Sequence, residues 1–183
     1  MVLVLVGEGG AGPHDLAQMM RKGRVYWTAA ESQWYAEPKR LAGLGYLKAE
    51  KRPGRTHDRT HYVLTAKGRR AVRDWVSTPA PLPRIQNEPV ARALAVDLAE
   101  PDAIAEGLEA LRAEIADGLA TADQALADAG SLPDREAVLL VNHRFSRRML
   151  ELQLEWLDEV QRELRALSGR TRASRSARAG RGP

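Results

Sequence analysis

Over the first third of the chain, apolar residues come in short groups separated by glycines and polar turns. After a cluster of prolines they recur every three or four residues. The first group, Met1–Val6, runs into Gly7-Glu8-Gly9-Gly10-Ala11-Gly12. Pro13 follows where a first helical position has no use for its N–H. Leu16, Met19 and Met20 then predict a short amphipathic helix that stops near Gly23. A second helix is predicted from Ala29 to Leu44, with Gly45 as its stop. Tyr46–Ala49 and Thr60–Leu64 read as strands, joined by a polar, basic segment with Pro53-Gly54 as a turn signal, so a hairpin with a charged tip is expected. Thr65 is a good N-cap for a helix carrying Ala71, Val72, Trp75 and Val76. Trp34, Leu41, Leu44 and Trp75 are expected in the core. Pro38 removes the hydrogen bond to Trp34 and should kink or restart its helix.

Pro79, Pro81, Pro83 and Pro89 mark a linker, and the pattern beyond it is helical. Val90–Leu98 is a short apolar helix. Ile104, Leu108, Leu111, Ile115, Leu119, Ala122 and Leu126 line a long one, broken at Gly130 and Pro133. The last helix runs from about Glu136 to Leu167, with Phe145, Met149, Leu152 and Trp156 on one line and Leu150, Leu154, Leu157 and Leu164 on its neighbour. A stripe that wide suits a helix packed both on its own domain and on a partner; a plain helical hairpin core fits the pattern equally well. Met149, Leu152, Trp156, Leu157, Val160 and Leu164 are the candidate dimer contacts. The expected domains are 1–78, a linker at 79–89, a helical dimerisation and effector region at 90–167, and a basic tail at 168–183. The tail contains only Ser, Gly, Arg, Thr, Ala and Pro and is expected to be disordered.

Charge sharpens this division. Of the 183 residues 44% are hydrophobic and 28% charged, so a core can form, and with aromatics at only 5% that core is aliphatic. The net charge of +4 is the balance of a head at +7 (residues 1–78), a body at −8 (79–168) and a tail at +5 (169–183). Basic surface draws polyanions and acidic surface repels them, so a nucleic-acid site belongs in the head. The absence of cysteine excludes disulfides, thiol catalysis and cysteine-ligated zinc. No run approaches the roughly 20 apolar residues of a membrane span, and Met1–Val6 lacks the charged start of a signal peptide. A soluble cytoplasmic protein with no membrane partner is expected.

Two local motifs suggest chemistry and fail on context. Gly7-x-Gly9-x-x-Gly12 matches a dinucleotide fingerprint, but no second strand with a terminal acid follows about 20 residues on. Nucleotide binding through Gly7–Gly12 is therefore a remote alternative. His57-Asp58-Arg59-Thr60-His61 imitates a zinc-protease motif, but lies in a strand context where positions four apart are about 13 Å apart, too far to share one metal. His14 and His143 are read as structural. No catalytic residue, metal site or cofactor is indicated, and no enzyme.

What remains is the order of residues 1–78: short helices, a helix bearing Ser32, Gln33, Tyr35, Lys39 and Arg40, a basic hairpin, and another helix. That is the order of a winged helix-turn-helix, in which a helix reads base edges in the major groove and a hairpin follows the phosphates. The first five residues are the candidate recognition set. Lys51, Arg52, Arg55 and Arg59 are the candidate wing contacts. The fold class is mainly α with a small β-wing: a winged helix-turn-helix domain plus a C-terminal helical dimerisation region.

The segment Glu31-Ser32-Gln33-Trp34-Tyr35-Ala36-Glu37-Pro38-Lys39-Arg40-Leu41, then Leu44-Gly45-Tyr46-Leu47, then Arg59-Thr60-His61-Tyr62-Val63-Leu64-Thr65-Ala66-Lys67-Gly68, resembles the PadR family of transcriptional regulators. The resemblance covers residues 1–78 well and 84–167 by layout. It implies a homodimer formed through C-terminal helices, binding of double-stranded DNA by two winged domains, action as a repressor, and often release by a small-molecule effector. The alternative from another class is a helical interaction module without DNA binding.

Overall fold

The computed structural model describes residues 1–22, 27, 30–54 and 58–179. The chain forms two compact units, Met1–Pro83 and Arg84–Pro183.

The first unit runs α1 (Val2–Val6), α2 (Pro13–Lys22), α3 (Glu31–Gly43), β1 (Leu47–Arg52), β2 (Arg59–Leu64) and α4 (Ala66–Val76). Local chemistry marks the ends of α2 and the start of α4. Pro13 opens α2, the Asp15 carboxylate accepts the Gly12 N–H (2.9 Å), and Arg21 and Lys22 lie in the last turn, where cations suit the helix dipole. Thr65 caps α4 by accepting the Gly68 N–H (3.1 Å), and its hydroxyl donates to the Gly45 carbonyl (2.7 Å). One residue thus ties the start of α4 to the turn after α3. The core is Val2, Val6, Leu16, Ala17, Met20, Trp34, Leu41, Leu47, Tyr62 and Leu64, with Ala11.

The strands pair antiparallel, with Leu47 opposite Leu64 and Arg52 opposite Arg59. The glycine segment joins this sheet. Ala11 and Tyr62 exchange backbone hydrogen bonds (3.0 and 2.9 Å), and the His61 ring nitrogen lies 3.2 Å from the Gly9 carbonyl. Gly10 sits at φ +74°, and a Cβ there would fall 2.3 Å from the His61 ring and 2.7 Å from the Tyr62 carbonyl. Gly10 therefore serves a close approach to the wing. Among the described residues the only sheet is this antiparallel pair, so the parallel unit a dinucleotide site requires does not form.

Three local expectations are corrected. Pro38 neither ends nor restarts α3, which is continuous across it, and its ring is fully buried. Leu44 is 47% exposed because it lies past the last turn of α3, beside Gly45 at φ +77°. Burial falls along α4 from Gly68 through the half-buried Ala71 and Val72 to Trp75, which is 60% exposed.

The second unit contains α5 (Glu88–Leu94), capped by Asn87, then a 3₁₀ turn, α6 (Pro101–Ala127), two further 3₁₀ turns, and α7 (Glu136–Ala179). The long helices α6 and α7 form an antiparallel hairpin. Ile104, Leu108, Ile115, Ala122 and Ala125 are buried on α6, and Leu150, Leu157 and Leu164 on α7. Ion pairs fix the direction: Arg147 to Asp123 (2.9 Å), Arg112 to Asp158 (2.7 Å), and Arg172 to Asp102. The Asp158 and Asp123 carboxylates hold the Arg112 and Arg147 guanidiniums above their ordinary pKa, chiefly by hydrogen bonding.

The segment after Leu167, expected to be disordered, instead continues α7 to Ala179. Alanine and arginine are strong helix formers, and the Arg172–Asp102 pair anchors its first turn to α6. The wide apolar stripe of α7 also separates into two faces. Leu150, Leu157 and Leu164 are buried, whereas Val138, Val141, Phe145 and Leu152 are 54–65% exposed. Leu157 (0%) and Leu164 (2%) are thus taken up within the chain and are withdrawn as dimer contacts.

Candidate nucleic-acid interface

Helix α3 divides into two faces by its own periodicity. Trp34, Pro38 and Leu41 are buried; Ser32, Gln33, Tyr35, Ala36, Lys39, Arg40 and Gly43 are exposed. All five predicted recognition residues therefore stand on the open side. Trp34 anchors the helix from beneath, with Tyr35 on the flank at 47% exposure. Glu37, half-buried, sits at the border between the faces. It also lines a cleft of about 420 Å³ between α1 and α3, together with Val2, Leu3, Gln33 and Trp34.

The cations of α3 differ in state. Lys39 has no acidic partner among the described residues. Arg40 is gripped by Glu37: its Nε donates to Oε2 at 2.7 Å and its Nη2 to Oε1 at 2.6 Å. These hydrogen bonds hold the Glu37 carboxyl below its ordinary pKa and raise that of the guanidinium. Sequence reading missed the pair, although an acid three residues before a base on a helix is a legible signal.

The wing places Lys51 and Arg52 at the end of β1 and Arg59 at the start of β2, all exposed. Arg55 lies outside the described residues. Arg52 and Arg59 face each other directly in the ladder, and like charges so placed repel. An anion laid across the tip would relieve that repulsion. Nearer the root, the wing is less basic than its composition suggests, since Lys48 pairs with Glu50 (3.2 Å). Two further bases are also occupied. Arg69 is forked by Glu8 at 2.8–3.1 Å, and Lys67 donates to the Leu44 carbonyl (2.9 Å) while lying over the Tyr46 ring. The free basic surface of this unit is thus narrower than its net charge.

Among the described residues no group of histidines and acids could hold a metal ion, and no helix is long and apolar enough to cross a membrane. Of the two histidines of the zinc-like motif, His61 is committed to Gly9 and His57 lies outside the described residues.

No protein-family model matches the sequence, and no curated protein matches it. Solved structures do. The PadR-like transcriptional regulator BC1756 from Bacillus cereus superposes with a TM-score of 0.76 at 16% identity, over 89% of this chain and 92% of that one. The Vibrio cholerae virulence activator AphA gives 0.69 at 20% identity, over 90% and 98%. Bacillus subtilis PadR in complex with operator DNA gives 0.62 at 18% identity, over 89% and 94%. The chain has the PadR-like fold. The likeness spans both units of the chain, so the PadR-like layout includes the α6–α7 hairpin as well as the winged head, and the expected mainly α class with a small β-wing holds.

Proposed function

We propose that the protein is a dimeric, sequence-specific DNA-binding transcriptional regulator that acts as a repressor by occupying an operator. The observation that carries this reading is the open face of α3, set in a PadR-like fold beside a wing whose end presents Lys51, Arg52 and Arg59 without acidic partners among the described residues. Ser32, Gln33, Tyr35, Lys39 and Arg40 face the groove, and Lys51, Arg52, Arg55 and Arg59 face phosphates. One structural neighbour is a complex with operator DNA. Another is PadR bound to p-coumaric acid, which supports a small-molecule effector as part of the proposal.

Dimerisation through α7 completes the reading. The exposed or half-buried residues Val138, Val141, Phe145, Met149, Leu152, Trp156 and Val160 step by three, four and four, an 11-residue repeat. That period suits straight or right-handed helix pairing. A two-fold dimer would place half-sites about one DNA turn, or a multiple of it, apart.

Fluorescence anisotropy with the DNA upstream of the protein's own gene, beside a scrambled duplex, tests the reading. Tight binding to the first alone, weakening steeply with salt, is expected. If no duplex in a set of genomic fragments binds better than the scrambled one, the regulator reading fails. Replacing Arg52 and Arg59 by alanine should weaken binding to all duplexes alike and flatten the slope of log K against log salt by about 0.9 for each phosphate no longer neutralised. An unchanged slope would remove the wing from the interface.

A further inference from the structure

We propose that Glu37 and Arg40 act as one unit that reads a guanine, with Glu37 holding the guanidinium so that its far edge faces the groove. The inference rests on the DNA-binding reading above. Glu37 takes Arg40 side-on, through Nε–H and one hydrogen of Nη2. Of the five donors of a guanidinium, three remain: both on Nη1 and the second on Nη2. Those two nitrogens form the end-on edge, whose spacing matches the O6 and N7 acceptors of guanine in the major groove. Among the described residues nothing else takes these donors.

Charge decides between a base and a phosphate as the target. A phosphate is held by a full positive charge, but the Glu37–Arg40 pair is neutral as a unit, and its carboxylate can only accept hydrogen bonds. Set against phosphates it would attract far less than a free arginine, because the carboxylate behind the guanidinium cancels most of its charge. A base edge is uncharged and asks for geometry, which the fork supplies by restricting a side chain that would otherwise sample many rotamers. Arg40 is 61% exposed, enough to reach outward, while Glu37, at 35%, is rooted at the edge of the core. Ala36 and Gly43, one turn to either side of Arg40 on the open face, are small; a Cβ on Gly43 would meet nothing within 4 Å. The helix can therefore come close to the groove at this point. Lys39 next door remains the phosphate-seeking charge.

The test uses the full-length protein and a pool of duplexes with a randomised centre. The retained sequences are determined for the wild type, R40A, R40K and E37Q, with circular dichroism showing that each variant keeps its helix content. The wild type should select a guanine at one position of each half-site. R40A and R40K should lose about ten-fold or more of the discrimination at that position and keep it elsewhere, and R40K should keep the wild-type salt slope. E37Q should weaken the same guanine preference while binding unselected DNA more tightly.

If R40A lowers affinity for every duplex and flattens the salt slope with all base preferences intact, Arg40 is a phosphate contact and the proposal falls. An unchanged guanine preference in E37Q would remove Glu37 from the unit. A wild-type protein that enriches no sequence at all would instead overturn the DNA-binding reading, and this proposal with it.

Discussion

Replacing Phe145 and Leu152 by aspartate is expected to give a folded monomer whose operator affinity has fallen by a factor of about 10² to 10⁴. Both side chains are more than half exposed on α7 (54% and 65%), so neither charge is forced into the hairpin. In an α7-mediated dimer each would be buried without a partner, and a charge so placed strongly disfavours the interface. The loss of DNA affinity follows from bivalency: a monomer engages one half-site and gives up the effective concentration that the second head enjoys. Sedimentation velocity and anisotropy on the same samples check both halves. Leu157→Ala is the contrasting variant. Leu157 is fully buried in the chain's own second unit, so that change should cost about 2–5 kcal/mol of stability. A double aspartate variant that still sediments as a dimer would place the interface elsewhere.

Gly68→Ala should destabilise the protein, against the trend of helix propensity. In the first turn of α4 alanine would be favoured by up to about 1 kcal/mol. The local packing opposes it. A Cβ on Gly68 would lie 2.2 Å from the Tyr46 carbonyl oxygen and 3.1 Å from Leu64 Cδ2. That carbonyl cannot easily retreat, because it accepts the Thr65 N–H (3.1 Å) in the same corner that Thr65 closes with its hydroxyl. Forcing a methyl group into a packed site costs about 1–3 kcal/mol, and here the obstacle is backbone. The melting temperature of the full chain should fall by several degrees. Gly43→Ala, at the open end of α3, should leave it unchanged or slightly raised. A higher melting temperature for Gly68→Ala would mean that the corner yields.

Much of the head is legible in the chain because its signals are local. Pro13 and Thr65 each act within a few residues, and the spacing of Trp34 and Leu41 alone puts them on the buried side of α3. What escapes depends on distant partners. Leu44 and Trp75 have the chemistry of core residues, but Leu44 stands past the last turn of α3 and Trp75 in the last turn of α4, where burial has run out. His61 meets Gly9 across 52 positions, which recasts a glycine motif as the edge of a wing. On α7 periodicity shows one broad apolar stripe; dividing it into an inner and an outer face requires knowing where α6 lies. The C-terminal arginines bury nothing, which suggests disorder, whereas a helix end needs only propensity and an anchor.

The middle of the hairpin holds a polar contact with a mechanical consequence. Gln161, 3% exposed, donates to the Glu109 carboxylate (2.7 Å) and accepts from Arg112 (3.0 Å), so both ends of its amide are satisfied in one alignment of the two helices. Sliding α7 along α6 by a single turn, about 5.4 Å, would break both hydrogen bonds of that buried amide. The contact is a detent. It keys the two helices to one register and disfavours the shear by which packed helices trade one arrangement for another, so any motion that keeps both hydrogen bonds must carry α6 and α7 together.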